Sequence, residues 1–202
     1  MKIVKKILIV LAVLIAIVAI AGMFMSPKVH VERSMEMKAS PEAVYSQIAD
    51  LTMWDNWMPW NKLDPNMKKT FGEKTTGEGA SYSWESTNSD VGHGTITITK
   101  AIQNELVETN LDFKEHGTAT GGYKVEKTDN GSKVTWSMEM DMGGNPFMRI
   151  MGSMMDKMMG PQFDKGLHSL DSSASAMPPA PAAAPMDSTA MPAADSTAAA
   201  TK

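Results

Sequence analysis

FMRIMGSMMDKMMGPQFDKGLHSL, residues 147–170, is the stretch on which the reading of the whole chain turns. Asn145 can cap a helix and Pro146 suits its first turn, so a helix should begin here. At about 100° per residue, Phe147, Met148, Ile150, Met151, Met154, Met155, Met158 and Met159 fill roughly half of the circumference. Arg149, Ser153, Asp156, Lys157 and Gly160 take the remainder. Gly160-Pro161 should bend the helix, because proline removes a backbone donor and crowds the carbonyl four residues back; Phe163, Leu167 and Leu170 then carry the stripe on. Six of the first fourteen residues are methionine. An unbranched thioether chain repacks around apolar shapes that vary, whereas a purely structural helix could use leucine. Methionine is abundant elsewhere too, with 20 in the chain and three of them, Met177, Met186 and Met191, in a segment that cannot be core. The argument therefore rests on where the methionines fall.

Strands lead into this helix. KVTWSMEMDM, residues 133–142, alternates with a period of two and puts Val134, Trp136, Met138 and Met140 on one face. Asp129-Asn130-Gly131 before it is a hairpin signal, since Asn and Gly tolerate positive φ. Five further runs, at 67–72, 80–87, 93–102, 105–113 and 117–127, have the spacing of an antiparallel meander. Upstream, Val29, Val31, Met35 and Met37 alternate with polar residues in another half-buried strand, with Arg33 the one misfit on its apolar side. Ser40-Pro41 then opens a short helix, with Ser40 as N-cap and Val44, Ile48 and Leu51 on one face, ending near Asp50.

Strand, helix, six strands and a long last helix is the order of a helix-grip fold, an α+β architecture in which a curved antiparallel sheet of about seven strands wraps around the C-terminal helix. KASPEAVYSQIADLTMWDNWMPWNKLDPNM (38–67), GEGASYSWES (77–86), KVTWSMEMDM (133–142) and IMGSMMDKMMGPQFDKGLHSL (150–170) carry a resemblance to the polyketide cyclase/dehydrase and START-like lipid-transfer superfamily, also called SRPBCC. The resemblance covers about residues 28–170 and implies a cavity between sheet and last helix. It is specific for fold and nearly silent on chemistry, because that superfamily holds carriers, cyclases, hydrolases and chaperone regulators.

Residues 1–27 and 171–202 lie outside that pattern. Residues 7–25 carry no charge, and nineteen helical residues reach roughly 28 Å, close to the hydrocarbon thickness of a bilayer. Twelve of them are Ile, Leu, Val or Phe, worth about -4 to -7 kcal/mol on an insertion scale. Lys2, Lys5 and Lys6 precede the run, so the N-terminus should stay in the cytoplasm of a bacterial inner membrane, with the body on the periplasmic or extracellular side. A cleaved signal peptide is the competing reading, with Ala19-Ile20-Ala21 as its small-x-small site; the apolar run continues past it through Met25, which suits a retained anchor better. In residues 171–202, 25 of 32 are Ala, Pro, Ser or Thr, and such a segment should be disordered. Asp187-Ser188-Thr189 and Asp195-Ser196-Thr197 resemble short O-glycosylation acceptors, a weak three-residue match.

A net charge of -4 and a pI near 5.6 give no basic field, which argues against nucleic acid as a partner. The absence of cysteine removes thiolate nucleophiles, disulfides and cysteine metal sites. His30, His93, His116 and His168 are scattered, the pair His93 and His116 beside glycines as turn residues, and no phosphate loop or cofactor motif occurs. Glu85, Asp112 and Glu139 alternate with apolar residues and should point outward. Paired methionines could hold Cu(I), yet core formation already explains Met35 with Met37 and Met138 with Met140 on single faces, and no metal site is assigned. A ligand cavity is expected from Met151, Met154, Met155, Met158, Trp136, Met138, Met140, Trp84 and Tyr82. Within WDNWMPW, Trp57 reads as a packing residue, whereas Trp54 and Trp60 are candidates for the cavity mouth. The function expected is a membrane-tethered binding module for a hydrophobic small molecule or lipid. The alternatives are a cyclase-like enzyme using acid/base groups in the cavity and a ligand-free domain docking an unspecified envelope protein.

Overall fold

A computed structural model describes residues 2–114 and 117–177. Helix α1 (Lys2–Met23) is followed by strand β1 (Lys28–Met37) and helix α2 (Pro41–Ala49). Ser40 caps α2 by accepting from the Ala43 amide, and Pro41 occupies its first turn. A 3-10 turn at Leu51–Met53 and two short helices, α3 (Trp54–Trp57) and α4 (Pro59–Leu63), lead to strands β2 (Lys68–Phe71), β3 (Ser81–Glu85), β4 (His93–Ile102), β5 (Leu106–Asp112), β6 (Thr118–Thr128) and β7 (Gly131–Asp141). Helices α5 (Pro146–Ser153) and α6 (Met155–Ser175) complete the described chain.

The seven strands form one antiparallel sheet in the order β1-β7-β6-β5-β4-β3-β2. Strands β2 to β7 run as a meander, and β1 joins the far edge against β7, with Lys28 opposite Asp141 and Met37 opposite Ser132. A register shift between Ile98 and Lys100 marks a bulge that bends β4. The alternation read from the sequence becomes the concave face: Val29 and Val31 of β1, Val134, Trp136 and Met138 of β7, and Tyr123 and Val125 of β6 are all buried. Phe163, Leu167, Leu170 and Ala174 of α6 are buried against that face, and α2 adds Val44 and Ile48. This is a helix-grip architecture of the α+β class.

Arg33, the misfit of β1, is explained by α6. Its guanidinium donates to both carboxylate oxygens of Asp156, at 2.8 and 3.1 Å, and its Nε lies 3.7 Å from Asp164. Gly160 sits over the guanidinium, where a Cβ would collide with it. An inward-facing charge on an otherwise apolar strand thus fixes the height of the helix on the sheet.

Two sequence expectations need correction here. The helix discontinuity falls at Met154, where the amide bonds back to Met151 and two helices meet, while Pro161 is accommodated inside α6. The C-terminal segment expected to be disordered from residue 171 is helical through Ser175, because Leu170 and Ala174 keep the stripe buried. The disorder expected for 178–202, the acceptor-like sequences there and the turn role of His116 lie outside the described residues.

Candidate functional site

A hollow exists because short side chains fall at the middle of the concave face. On β5 and β6 the inward positions are Val107, Thr109 and Leu111, and Ala119, Gly121 and Tyr123. Thr109 pairs with Gly121 across the ladder, so the sheet has little height there. At the α2 end, Trp57, Leu167 and Leu170 fill the gap between helices and sheet completely. Toward the other end, α5 and the first turns of α6 leave a cavity of about 810 Å³.

Trp54 of α3, Trp60 of α4 and Met58 between them border it on one side, and Tyr82, Trp84 and Phe113 on another. Ile96, Thr109, Gly121, Tyr123, Trp136, Met138 and Met140 make the floor, and Met148, Met151, Met155, Met159 and Phe163 face them from α5 and α6. The inner end is closed by aromatic packing. Trp136 stacks on Phe163 with ring centroids 4.0 Å apart and planes 5° apart, and Trp60 meets the two edge-on at 6.1 and 6.3 Å. Gly166 permits this approach, since a Cβ there would lie 2.5 Å from Trp136 Cζ3. The Trp54 indole donates to the Ile48 carbonyl at 2.9 Å and that of Trp84 to the Val91 carbonyl at 3.1 Å, so both rings are oriented by backbone rather than by each other.

Burial pushes the Tyr82 phenol up, with the Asp55 carboxylate adding to it, and burial raises Tyr123 well above the ordinary tyrosine value with help from Tyr82. Both remain O–H groups at any physiological pH. Asp90, His93 and Asp141 belong to the exposed rim, and among the described residues no Lys or Arg lines the cavity. Among the described residues there is no cluster of three or more His, Asp or Glu side chains able to hold a metal ion. What this geometry can do chemically is enclose an apolar body and offer it a few neutral hydrogen-bonding groups.

Of the residues singled out in the sequence, Met151, Met155, Trp136, Met138, Met140, Trp84, Tyr82, Trp54 and Trp60 border the cavity. Met154 and Met158 do not. They are 54% and 61% exposed, because they fall on the outer edge of a wide apolar face with Phe147, whereas Met148, Met155, Met159 and Phe163, on the side held toward the sheet by the Arg33–Asp156 clamp, meet the cavity. Trp57 is fully buried behind the cavity, donating its indole N–H to the Gln47 carbonyl at 3.1 Å. Glu85 and Glu139 point outward and Asp112 is half-exposed. Sequence reasoning misses the floor residues Thr109, Gly121 and Tyr123; the period-two alternation of LVETNLD and TATGGYKVEKT is the signal that finds them.

A family model described as polyketide cyclase / dehydrase and lipid transport matches residues 28–174. The chain belongs to that family. Solved structures of the same architecture agree with this membership at the level of fold. The di-domain ARO/CYC StfQ of the steffimycin biosynthetic pathway superposes with a TM-score of 0.56 at 10% identity, covering 73% of this chain and 51% of that one. A protein from Chromobacterium violaceum gives 0.52 at 13% identity over 71% of this chain and 96% of its own, and the Aha1 protein of Colwellia psychrerythraea gives 0.50 at 15% identity over 71% and 96%. A search of curated proteins found no sequence match. As a polyketide cyclase / dehydrase and lipid transport family member, the chain carries a ligand-binding domain of the SRPBCC type, preceded by one apolar helix long enough to cross a membrane; a signal sequence has the same length and composition.

Proposed function

We propose that this protein is a membrane-tethered binding module that holds a hydrophobic small molecule or lipid between its sheet and the methionine-bearing helices α5 and α6. The observation that carries the reading is the cavity itself. Its volume of about 810 Å³ falls within the range of small-molecule sites, roughly 300–1,000 Å³, and its walls are mainly aromatic rings and thioethers. Met138, Met140, Met148, Met151, Met155 and Met159 each bring a flexible, polarizable chain to one space, which suits a guest whose outline varies.

Tethering is supported by α1, whose large apolar side chains are exposed along its length. With Lys2, Lys5 and Lys6 at its start, the helix runs from the cytoplasm and delivers the domain to the periplasmic or extracellular side of a bacterial inner membrane. A catalytic reading needs a base near the enclosed guest. Among the described residues, the titratable groups inside the cavity are phenols held protonated by burial, and Asp90, His93 and Asp141 stay at the rim, so binding is favoured over cyclase-like chemistry.

The full-length protein, extracted gently and analysed by native mass spectrometry, is expected to carry a hydrophobic molecule at near one-to-one ratio. Preparations that are always empty, and that stay empty after exposure to a panel of membrane lipids, would sink the proposal. Intact mass of the membrane-bound form checks the anchor: loss of residues 1–21 would make α1 a signal peptide.

A further inference from the structure

Met154 and Met158 are exposed although they sit on a helix whose other methionines face inward, and they are not alone. Phe147, Met148 and Met151 of α5 are also exposed, at 49%, 38% and 53%, so one side of this short helix region presents a row of large apolar side chains. Exposed apolar rows of this kind mark a surface with a partner. The identity of the partner comes from what α5 touches. Helix α1 packs on α5. Gly22, one residue before the end of α1, lies against the backbone of Pro146, the first residue of α5, and a Cβ at Gly22 would collide with it. Arg149 on the next turn donates through Nη1 to the carbonyls of Met23 and Met25, at 3.3 and 3.5 Å, and through Nε to that of Gly143 at 3.0 Å. The carbonyl of Met23 at the end of α1, and that of Met25 just beyond it, are therefore held from α5. Twenty-two helical residues extend about 33 Å, the thickness of a hydrocarbon core with little to spare, so the end of α1 marks the membrane surface. The start of α5 is fixed at that same height.

We propose that α5 lies in the outer interface of the bilayer that α1 crosses, with Phe147, Met154 and neighbouring side chains among the lipid, so that the cavity opens onto lipid instead of water. Met148 and Met151 are then both cavity wall and membrane contact, and a guest passes between bilayer and cavity across them. This rests on the membrane-tether reading above and adds to it an orientation and a portal. An apolar helix face laid along the interface is what a lipid surface recognises.

The chain contains no cysteine, so single cysteines can be labelled cleanly in the full-length protein. Bimane would be attached at Phe147→Cys and Met154→Cys, with Val18→Cys inside α1 as the membrane reference. Asn130→Cys serves as the distant reference, since it lies in the β6–β7 turn at the opposite end of β7 from α5. The labelled proteins are placed in nanodiscs of phosphatidylcholine carrying a nitroxide high on the acyl chain. Loss of fluorescence at Phe147 and Met154 comparable to that at Val18, with Asn130 unaffected, is the expected result. Quenching at Val18 alone would leave the tether standing and overturn the portal. No quenching at Val18 would remove the tether and the portal with it. Gly22→Leu, which forces α1 away from Pro146, should reduce quenching at Met154 and leave Val18 as it was; unchanged quenching at Met154 would overturn the docked geometry.

Discussion

Replacing Thr109 by valine should make the protein more stable, a sign opposite to that of most core substitutions. Thr109 is 1% exposed, and its hydroxyl has no hydrogen-bond partner among the described residues. Its side chain lies against Gly121 on the neighbouring strand, where a Cβ would meet the hydroxyl oxygen at 2.5 Å. Valine keeps the β-branch and the volume, so strand geometry and packing change little. A buried unsatisfied group costs about 1–3 kcal/mol, and removing it should return about 1–2 kcal/mol after minor crowding by the extra methyl hydrogens. For a domain of this size each kcal/mol moves the midpoint by about 2–4 °C, so a rise of about 2–8 °C is expected in thermal unfolding followed by tryptophan fluorescence. Thr109→Ser, which keeps the hydroxyl and loses a methyl, should lower the midpoint. A Thr109→Val midpoint below that of the parent would refute the reasoning and would mean that the hydroxyl is satisfied in solution, by water or by a guest.

Phe163→Ala should cost about 3–5 kcal/mol, since the ring is buried and stacked on Trp136, and the hole should join the cavity; added hydrophobic guest is expected to recover part of the loss in midpoint. Gly166→Val should cost about 1–3 kcal/mol by driving a side chain into Trp136 and Pro59, read as a lower denaturant midpoint with altered tryptophan emission; a neutral result would mean that α6 does not sit so close. The Asp156 carboxyl is held below its ordinary value chiefly by the Arg33 hydrogen bond. A depressed folded value means stability that is complete above the unfolded value, near 3.8, and lost as pH falls through the folded one. Stability should therefore drop below about pH 4, and Asp156→Asn should flatten that part of a midpoint-against-pH curve relative to the parent.

The fold is legible because periodicity and caps are local. Alternation in KVTWSMEMDM and around Val29–Met37, the Ser40-Pro41 start and the Asp129-Asn130-Gly131 turn each encode their element within a few residues. Even Arg33 reads as facing the apolar side, but its partners lie on a helix 123 residues away in sequence at Asp156, and no local signal reaches that far. The site is legible in part. Trp136, Met138 and Met140 follow from strand alternation. Met154 and Met158 are misassigned because the apolar face spans half of the circumference, and only long-range contacts such as Arg33–Asp156 decide which part of it meets the cavity. Thr109, Gly121 and Tyr123 go unnoticed for a different reason: a hollow is made where side chains are small, and attention to large residues passes over the position that creates the space.

The pairing of β1 with β7 governs how this chain must be made. Lys28 finds its ladder partner only at Asp141, and α6, which β1 also carries, follows later still. Such long-range closure is slow, because loop entropy must be overcome before any contact rewards it. A ribosome-bound chain ending before β7 therefore has an unpaired β1 and no α6 over its sheet, and folding is completed only once β7 and α6 have emerged.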